Sequence, residues 1–248
     1  MAEMMNKGIL MGVGVGVGDP EDMTLKAVRC IKESDIVCIP RKDKAKCRAY
    51  KIAREAVPEI DGKELLCLEF EMIKDEEALQ KMHRDIYEEL RGYVEEGKKV
   101  SLLTIGDPTV YSTFAYIAEQ AEKDGVPVRI INGINSFCAT AAGLGISLCE
   151  GETPLHIISD LKDLEQDLQQ RGTKIIMKCA GAMARIKSQL RELEQKAESK
   201  GSKLEVFAVS DAGMPQKKRC FSLDELPDEV PYMTTVIVRE TTSCFSGD

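Results

Sequence analysis

The sequence predicts an α/β protein made of two domains, and three observations support this prediction. Short segments rich in Val, Ile and Leu alternate with longer segments in which apolar residues recur every three or four positions. The short segments suit strands and the longer ones suit amphipathic helices. A turn signal, KDGVP at residues 123–127, divides the 248 residues near their middle. We therefore expect two α/β domains, residues 1–124 and 125–248, with a largely parallel first sheet and a mixed second sheet.

Nine segments are predicted strands and two long segments are predicted helices. The strands are expected at residues 9–15, 35–39, 65–70, 100–104, 128–131, 155–158, 174–177, 204–209 and 234–238. The helix expected at residues 75–96 has one apolar face, formed by Leu79, Met82, Ile86, Leu90 and Tyr93. The helix expected at residues 182–200 has another, formed by Ile186, Leu190 and Leu193. His83 follows Met82, and we expect it at the surface or boundary of its helix.

The composition argues against several classes of protein. Acidic residues outnumber basic ones by 42 to 34, which gives a formal charge of −8 and disfavours binding to nucleic acid or anionic membranes. Aromatic residues make up only 5% of the chain and Trp is absent, so few side chains could stack on single-stranded bases. The longest apolar stretch, residues 8–18, is too short to span a bilayer. We expect neither nucleic acid nor membrane as a partner.

The nine cysteines do not form a metal-binding pattern. They are scattered, no two of them are three positions apart, and the chain has only two histidines, His83 and His156. A zinc or iron–sulfur site would have to gather its ligands from distant segments, so we expect no protein-bound metal. An odd number of scattered cysteines indicates buried thiols in a reducing compartment, which predicts a cytoplasmic protein.

The glycine-rich segment GVGVGVG at residues 12–18 does not match a common nucleotide-binding loop. In each frame of the pattern GxGxxG, the third glycine falls on Val17, Asp19 or Glu21. No Gly-Lys pair is followed by Ser or Thr, which excludes a Walker A loop. The glycines therefore allow a close approach of the backbone to a neighbour. That neighbour is either a ligand or the chain itself at a tight exit from a strand.

The triplet Gly-Asp-Pro occurs twice, at residues 18–20 and 106–108, each time between an apolar run and a helical pattern. Asp suits a helix N-cap and Pro suits the first helical position, so both triplets predict strand–turn–helix junctions. Two interpretations stay open. The junctions are simply well-capped helices, or they present unpaired backbone N–H groups to a ligand.

Taken in order, four segments resemble the motifs of the tetrapyrrole methylases, the class III S-adenosylmethionine-dependent methyltransferases. The family pattern VGxGPGDPxxLTLKA corresponds to VGVGVGDPEDMTLKA at residues 13–27. The family's Gly-Asp-Pro loop corresponds to LTIGDPTVYST at residues 103–113, and PGxSSFxA corresponds to NGINSFCA at residues 132–139. A strand ending in Met-Lys is found as IIMK at residues 175–178. The resemblance therefore extends over nearly the whole chain.

The resemblance implies transfer of a methyl group from S-adenosylmethionine to a meso carbon of a tetrapyrrole. The second motif, together with IPR at residues 39–41, is most similar to the enzymes that methylate C20 of precorrin-2 or cobalt-factor II in cobalamin biosynthesis. The substrate supplies the nucleophile in this reaction, which agrees with the lack of a recognisable catalytic triad, and the sequence indicates no catalytic base. The resemblance also implies a homodimer. Val17 and Asn132 replace prolines of the family pattern, which restores backbone freedom at both positions.

The resemblance also implies where the ligands bind. S-adenosylmethionine is expected in a cleft between the two domains, with the tetrapyrrole on the side of the first domain and the cofactor on the side of the second. Carried over residue by residue, the expected cofactor contacts are Ile105, Gly106, Asp107, Val110, Asn135, Ser136, Met177, Lys178, Asp211, Ala212, Gly213, Thr234 and Thr235. A plain N-cap remains the alternative for Asp107, and a core position remains the alternative for Met177.

A local basic segment provides a candidate substrate site. Residues 41–48 hold five basic side chains against one acidic side chain, although the whole chain is acidic. The segment follows a predicted strand, where ligands of α/β sheets usually bind. We expect Arg41, Lys44 and Lys46 to bind the substrate carboxylates, with Arg41 best suited to bidentate pairing. Asp19 could contact the substrate from the first loop. The alternatives are a solvated basic loop and, for Asp19, a helix cap.

Other functions remain possible on the sequence alone. Within the family, the chain could methylate uroporphyrinogen III or another ring position of the pathway. Diphthine synthase, a relative that methylates a protein side chain, is a further possibility. From a different class, the chain could be a regulator that binds a tetrapyrrole or an adenosine compound without catalysis, in which case it would bind stoichiometrically without turnover.

Overall fold

The structure of the chain is a computed structural model that describes residues 8–71, 73 and 75–242. The chain divides into two compact units, one ending at Asn135 and the other beginning at Ser136. Within the described ranges, no helix is both long enough and apolar enough to cross a membrane.

The first unit is a parallel five-stranded sheet covered by four helices. Its elements in chain order are β1 (Ile9–Gly14), α1 (Leu25–Glu33), β2 (Ile36–Ile39), α2 (Arg48–Ala56), β3 (Glu64–Cys67), α3 (Glu76–Glu95), β4 (Lys99–Thr104), α4 (Phe114–Lys123) and β5 (Val128–Ile131). The strand order is β3-β2-β4-β1-β5, and every pair in it is parallel. Parallel sheets need cover on both faces, which explains the continuous apolar strands of the sequence.

The alternating side chains of the strands pack into two separate hydrophobic cores. Met11 and Val13 of β1 pack with apolar residues of α1 and α2 in one cluster. Leu10 of the same strand packs in the other cluster, with residues of α3 and α4. Successive side chains of a strand point to opposite faces, so α1 and α2 cover one face of the sheet and α3 and α4 cover the other.

This arrangement creates a topological switch point between β1 and β4. The two strands are neighbours, but the chain leaves β1 through α1 toward β2 and leaves β4 through α4 toward β5, on opposite sides of the pair. Beyond the carboxyl edge of the sheet, the chain that follows Gly14 therefore leads to one side of this pair of strands, and the chain that follows Thr104 leads to the other. Open α/β sheets bind their ligands at such a point.

The second unit contains a mixed five-stranded sheet. Its elements are α5 (Ser136–Leu144), β6 (Leu155–Ile158), α6 (Leu164–Leu168), β7 (Thr173–Ile176), α7 (Met183–Ser199), β8 (Ser202–Ser210), β9 (Lys218–Cys220) and β10 (Thr234–Thr242). The order is β6-β7-β10-β8-β9, in which β6 and β7 are parallel and the other pairs are antiparallel. The predicted fold class is therefore confirmed, with a parallel first sheet and a mixed second sheet.

Three details of the prediction were wrong. The two units divide after Asn135 rather than between residues 124 and 125, because β5 pairs with β1 in the first sheet. The turn at residues 123–127 is thus an ordinary helix-to-strand connection. The short strand β9 was missed because two of its three residues are exposed basic residues, which leave no apolar pattern. The cysteines are only partly buried: Cys67, Cys138 and Cys149 are exposed, and all eight cysteines in the described ranges are free thiols.

His83 is buried, with 3% of its surface exposed, and not at the surface or boundary as predicted. Its ring stacks on that of Tyr116, with centroids 4.7 Å apart, because α3 and α4 pack side by side on the same face. Nε2 of His83 has no hydrogen-bond partner among the residues that the structure describes. Burial lowers the pKa of His83 below its ordinary value, since the charged imidazolium cannot be solvated there.

This burial predicts a loss of stability in mild acid. The folded state holds His83 neutral, whereas the unfolded state takes up a proton once the pH falls below about 6.5. We expect the urea midpoint to fall between pH 7.5 and pH 5.5, and the fall to be smaller in the His83→Leu variant. The His156→Gln variant, which lacks the only other histidine of the sequence, is measured alongside as the control for the loss of an imidazole. An equal fall of the urea midpoint between pH 7.5 and pH 5.5 in wild type and in His83→Leu would contradict this account.

Candidate active site

Three glycines bring three loops into backbone contact at the switch point. Gly14 ends β1, Gly106 follows β4 and Gly133 follows β5. A Cβ atom at Gly14 would lie 2.6 Å from both the Gly106 carbonyl oxygen and the Gly133 amide nitrogen. A Cβ atom at Gly133 would lie 2.1 Å from the same carbonyl oxygen. Because these distances are far below any real Cβ contact, only glycine fits at these two positions.

The first two loops continue the strand pairing beyond the sheet. The Val15 amide donates to the Thr104 carbonyl at 3.0 Å, and the Gly106 amide donates to the Gly16 carbonyl at 2.8 Å. Gly16 and Gly106 have φ of 72° and 75°, a conformation that favours glycine. The neighbour that the glycine-rich segment approaches is therefore, at Gly14 and Gly16, the chain itself.

The carboxylate of Asp107 ties two of these loops together. Its Oδ1 accepts from the Thr109 amide at 2.8 Å, and its Oδ2 accepts from the Asn132 side-chain amide at 3.1 Å and the Gly133 amide at 3.0 Å. Burial would raise the pKa of Asp107, but the hydrogen bonds from Thr109, Gly133 and Asn132 outweigh burial and lower it. The carboxylate is thus ionised and faces protein donors.

Of the two Gly-Asp-Pro triplets, the first forms the predicted cap, although of a 3₁₀ turn, and the second does not cap a helix. Asp107 opens a turn, and α4 begins only at Phe114. Asp19 accepts from the Glu21 amide at 2.9 Å and caps a single 3₁₀ turn at Pro20–Asp22. The true cap of α1 is Thr24, whose hydroxyl accepts from the Ala27 amide at 3.1 Å. The predicted contact of Asp19 with the substrate remains a prediction.

The loop after β4 contains a residue that the sequence reasoning passed over. Tyr111 has φ of 49°, which is uncommon for any residue other than glycine, and its side chain is 53% exposed. Its neighbours Ile105 and Val110, both predicted cofactor contacts, are half-buried. Tyr111 stands inside the motif TVYST, but only the left-handed backbone distinguishes it from an ordinary loop residue.

The basic segment follows β2 at the same edge of the sheet, as predicted. Arg41, Lys44 and Lys46 are exposed, whereas Cys47, next to them, is buried and anchors the segment. Lys46 forms an ion pair with Asp43 at 3.6 Å, and the ammonium of Lys44 lies 5.9 Å from the centre of the Tyr50 ring. Exposed pairs of this kind are weak, so they would yield readily to a charged ligand.

In the second unit, the predicted cofactor residues gather at one edge of the sheet. Met177 and Lys178 follow β7, and residues 211–213 follow β8. Strand β10 is antiparallel to both, so its first residues, Thr234 and Thr235, lie at that edge as well. There, Thr234 shares a hydrogen bond of 2.8 Å with Ser210. The Thr235 hydroxyl donates to the Ser136 hydroxyl at the start of α5 at 3.3 Å.

Two residues of this edge adopt backbone conformations that are rare for their type. Lys178 has φ of 57° and Asp211 has φ of 53°, and both lie within two residues of the end of a strand. Such positions cost about 1–3 kcal/mol each and concentrate at ligand sites. Ala212 is buried and Met177 is half-buried, so the edge offers both apolar and hydroxyl groups. Within the described ranges, no cluster of His, Cys, Asp and Glu is arranged to hold a metal ion.

Comparison with protein families gives a match over most of the chain. The model of the tetrapyrrole (corrin/porphyrin) methylases matches residues 10–227. The chain belongs to this family. The predicted resemblance is confirmed, and with it the assignment of the chain to the methyltransferases. Matches to 187 chains of solved structures agree with the fold described above.

Three known methylases illustrate the match. A protein of Methanocaldococcus jannaschii, named probable cobalt-precorrin-2 C(20)-methyltransferase, is 44% identical over 177 residues, which cover 70% of this chain and 74% of the relative. The cobalt-precorrin-2 C(20)-methyltransferase of Salmonella typhimurium is 28% identical and covers 94% of this chain and 97% of its own. The uroporphyrin-III C-methyltransferase of Thermus thermophilus, solved with S-adenosylhomocysteine, covers 93% of this chain and 96% of its own, with a TM-score of 0.66 at 22% identity.

Proposed function

We propose that the protein transfers a methyl group from S-adenosylmethionine to C20 of cobalt-factor II or precorrin-2, a step of cobalamin biosynthesis. The observation that carries this proposal is the relative named for C20 methylation, which is 44% identical over 74% of its length. The second relative, whose name gives the same reaction, matches this chain almost end to end. Both names specify the cobalt-containing substrate, so we expect that form to be preferred.

The second unit offers groups that fit S-adenosylmethionine. The hydroxyls of Ser136 and Thr235 meet at the edge of the sheet and could bind the polar groups of the nucleoside. Met177 and Ala212 supply apolar surface for the adenine ring. At the first unit, residues 133–135 after β5 are half-buried, and we propose that their backbone closely approaches the charged sulfonium end. A structural relative solved with S-adenosylhomocysteine supports the assignment.

The reaction needs alignment more than it needs acid–base groups. The meso carbon of the tetrapyrrole forms a bond to the methyl carbon, and the bond between that methyl carbon and the sulfur breaks. A proton later leaves the methylated meso carbon. S-adenosylmethionine supplies the activated methyl group, so the task of the protein is to hold donor and acceptor in line and to exclude water. Alignment of this kind can lower a barrier by about 7–11 kcal/mol. The rigid contact of Gly14, Gly106 and Gly133 is suited to that task.

The basic segment at residues 41–48 is the proposed contact for the substrate carboxylates. It follows β2 at the carboxyl edge of the first sheet, on the side of the protein where the glycine loops also lie. A chain with net charge −8 repels a polycarboxylate at long range, so a local excess of basic side chains is needed to dock it. We therefore propose that the carboxylates of the tetrapyrrole bind to the first unit.

Two further properties follow from the family and from the thiols. We infer a homodimer, the state implied by the family resemblance, which size-exclusion chromatography with light scattering would test. We also infer that the protein works in the cytoplasm, because Cys67, Cys138 and Cys149 are exposed free thiols that an oxidising compartment would not preserve.

Methyl transfer to alternative acceptors tests the proposed function. The purified protein is incubated without oxygen with labelled S-adenosylmethionine and, in separate reactions, cobalt-factor II, precorrin-2 or uroporphyrinogen III. We expect one added methyl group on the first two acceptors, by mass spectrometry, and none on uroporphyrinogen III. Methylation of uroporphyrinogen III alone would agree with the family but would contradict the proposed substrate. Binding of tetrapyrrole and cofactor without turnover would indicate a regulator.

A further inference from the structure

Asn132 makes hydrogen bonds to the segments that follow β1 and β4, from its own place after β5. It is the first residue after β5, and its side-chain amide donates to Asp107 in the loop after β4. Its carbonyl accepts from the Thr24 hydroxyl at 3.2 Å, and that hydroxyl also caps α1 after the β1 loop. The neighbouring Gly133 amide donates to the same carboxylate oxygen of Asp107.

The loops that these bonds join are closely packed against one another. The Gly106 carbonyl oxygen occupies the place where a side chain of Gly133 would begin. The loops after β4 and β5 are therefore in van der Waals contact. Releasing the Asn132 amide leaves Oδ2 of Asp107 with one donor instead of two. The carboxylate can then rotate, and the loop that starts at Gly133 can separate from Gly106. Proline, the residue of the family pattern at position 132, offers no side-chain donor, so this contact is a property of the present chain.

We propose that Asn132 is a positioning residue for the methyl donor, acting through the Asp107 carboxylate. Its amide fixes the carboxylate, which in turn holds the backbones of Gly106 and Gly133 at the spacing that the donor requires. The inference rests on the proposed function, because it takes the glycine loops to contact S-adenosylmethionine. Asn132 itself need not touch the cofactor, and no chemical step passes through its amide.

Binding of S-adenosylhomocysteine, measured by calorimetry at 25 °C on folded protein, tests this role. We expect Asn132→Ala to raise the Kd about fivefold, because a hydrogen bond to a charged group is lost. In the Asp107→Ala background, the same change should alter the Kd less than about twofold, since the acceptor of the Asn132 amide is already gone. The Gln170→Ala variant, which removes an exposed side-chain amide from the second unit, should bind as wild type.

Kinetics separate positioning from a purely structural role. In Asn132→Ala, the KM for S-adenosylmethionine should rise by a similar factor, whereas the KM for the tetrapyrrole should not change. A variant whose only defect is a lower stability would have the wild-type KM for both substrates when it is assayed below its unfolding temperature. If Asn132→Ala does not fold, Asn132→Ser, whose hydroxyl is shorter than the amide, takes its place.

The outcomes are distinct. Wild type that binds S-adenosylhomocysteine, with a variant that binds equally well, overturns the role of Asn132 and leaves the proposed function intact. Equal losses from Asn132→Ala in the wild-type and Asp107→Ala backgrounds also overturn it, because the effect then does not pass through the carboxylate. Wild type that does not bind the compound overturns the proposed function and the inference together.

Discussion

Replacing Gly133 by alanine should destabilise the first unit by about 3 kcal/mol and abolish methyl transfer under standard assay conditions. The added Cβ atom would stand 2.1 Å from the carbonyl oxygen of Gly106 and 2.8 Å from the carbonyl carbon of Gly14. Both neighbours are backbone, so neither can move aside by a change of rotamer. The loops must separate instead, which breaks the bond from the Gly133 amide to Asp107.

Gly92 provides a matched control in the same unit. It lies inside α3, and a Cβ atom there meets nothing within 4 Å. Alanine is the better helix former, so Gly92→Ala should raise stability by about 0.5–1 kcal/mol and leave methyl transfer unchanged. Urea unfolding of the full-length protein, followed by circular dichroism, gives both values. A Gly133→Ala variant as stable as wild type would show that the loops do not touch as described.

Reversing three charges of the basic segment should raise the KM for the tetrapyrrole at least tenfold. The variant carries Arg41→Glu, Lys44→Glu and Lys46→Glu, all at exposed positions at the carboxyl edge of the first sheet. The substrate carboxylates would then meet like charges where they now meet opposite ones, a change of several kcal/mol across the interface before screening. The Kd for S-adenosylhomocysteine should stay within about twofold of wild type, because these side chains are not assigned to the cofactor.

A second triple variant separates local from overall charge. Lys196→Glu, Lys200→Glu and Lys203→Glu are also exposed, and they lie where α7 leads into β8, at the end of that strand remote from Asp211. Both triple variants change the net charge by −6, from −8 to −14. If the two raise the KM equally, long-range repulsion is responsible and the basic segment is not the docking site. A rise confined to the first variant, weaker at high salt, supports the site.

The fold was largely predictable because its strands are apolar and its helices amphipathic. The predicted strands at residues 128–131 and 155–158 match β5 and β6, and α3 and α7 were placed to within a residue at each end. The position of the boundary between the two units was not predictable, because a turn between domains and a turn within a domain have the same composition. Only the pairing of β5 with β1 decides to which unit the strand belongs.

The candidate site was predictable in its segments but not in its contacts. The motifs gave Gly106, Asp107 and Asn135 as expected cofactor contacts, and the structure joins the loops that contain these residues. The sequence could not distinguish a helix cap from a turn at Asp107, since two of the donors to its carboxylate come from 25 and 26 positions further on. His83 was misplaced for a similar reason, because the ring that covers it belongs to Tyr116 on another helix.

The position of the transferred methyl group tests the central claim most directly. Cobalt-factor II is incubated without oxygen with S-adenosylmethionine carrying ¹³C in its methyl group, and the product is examined by carbon NMR after purification. The proposed function predicts a single new methyl resonance, coupled to the surrounding ring as a substituent of C20. A methyl group at any other carbon would contradict C20 specificity, and the absence of label in the tetrapyrrole would contradict the assignment of this chain as a methyltransferase of that substrate.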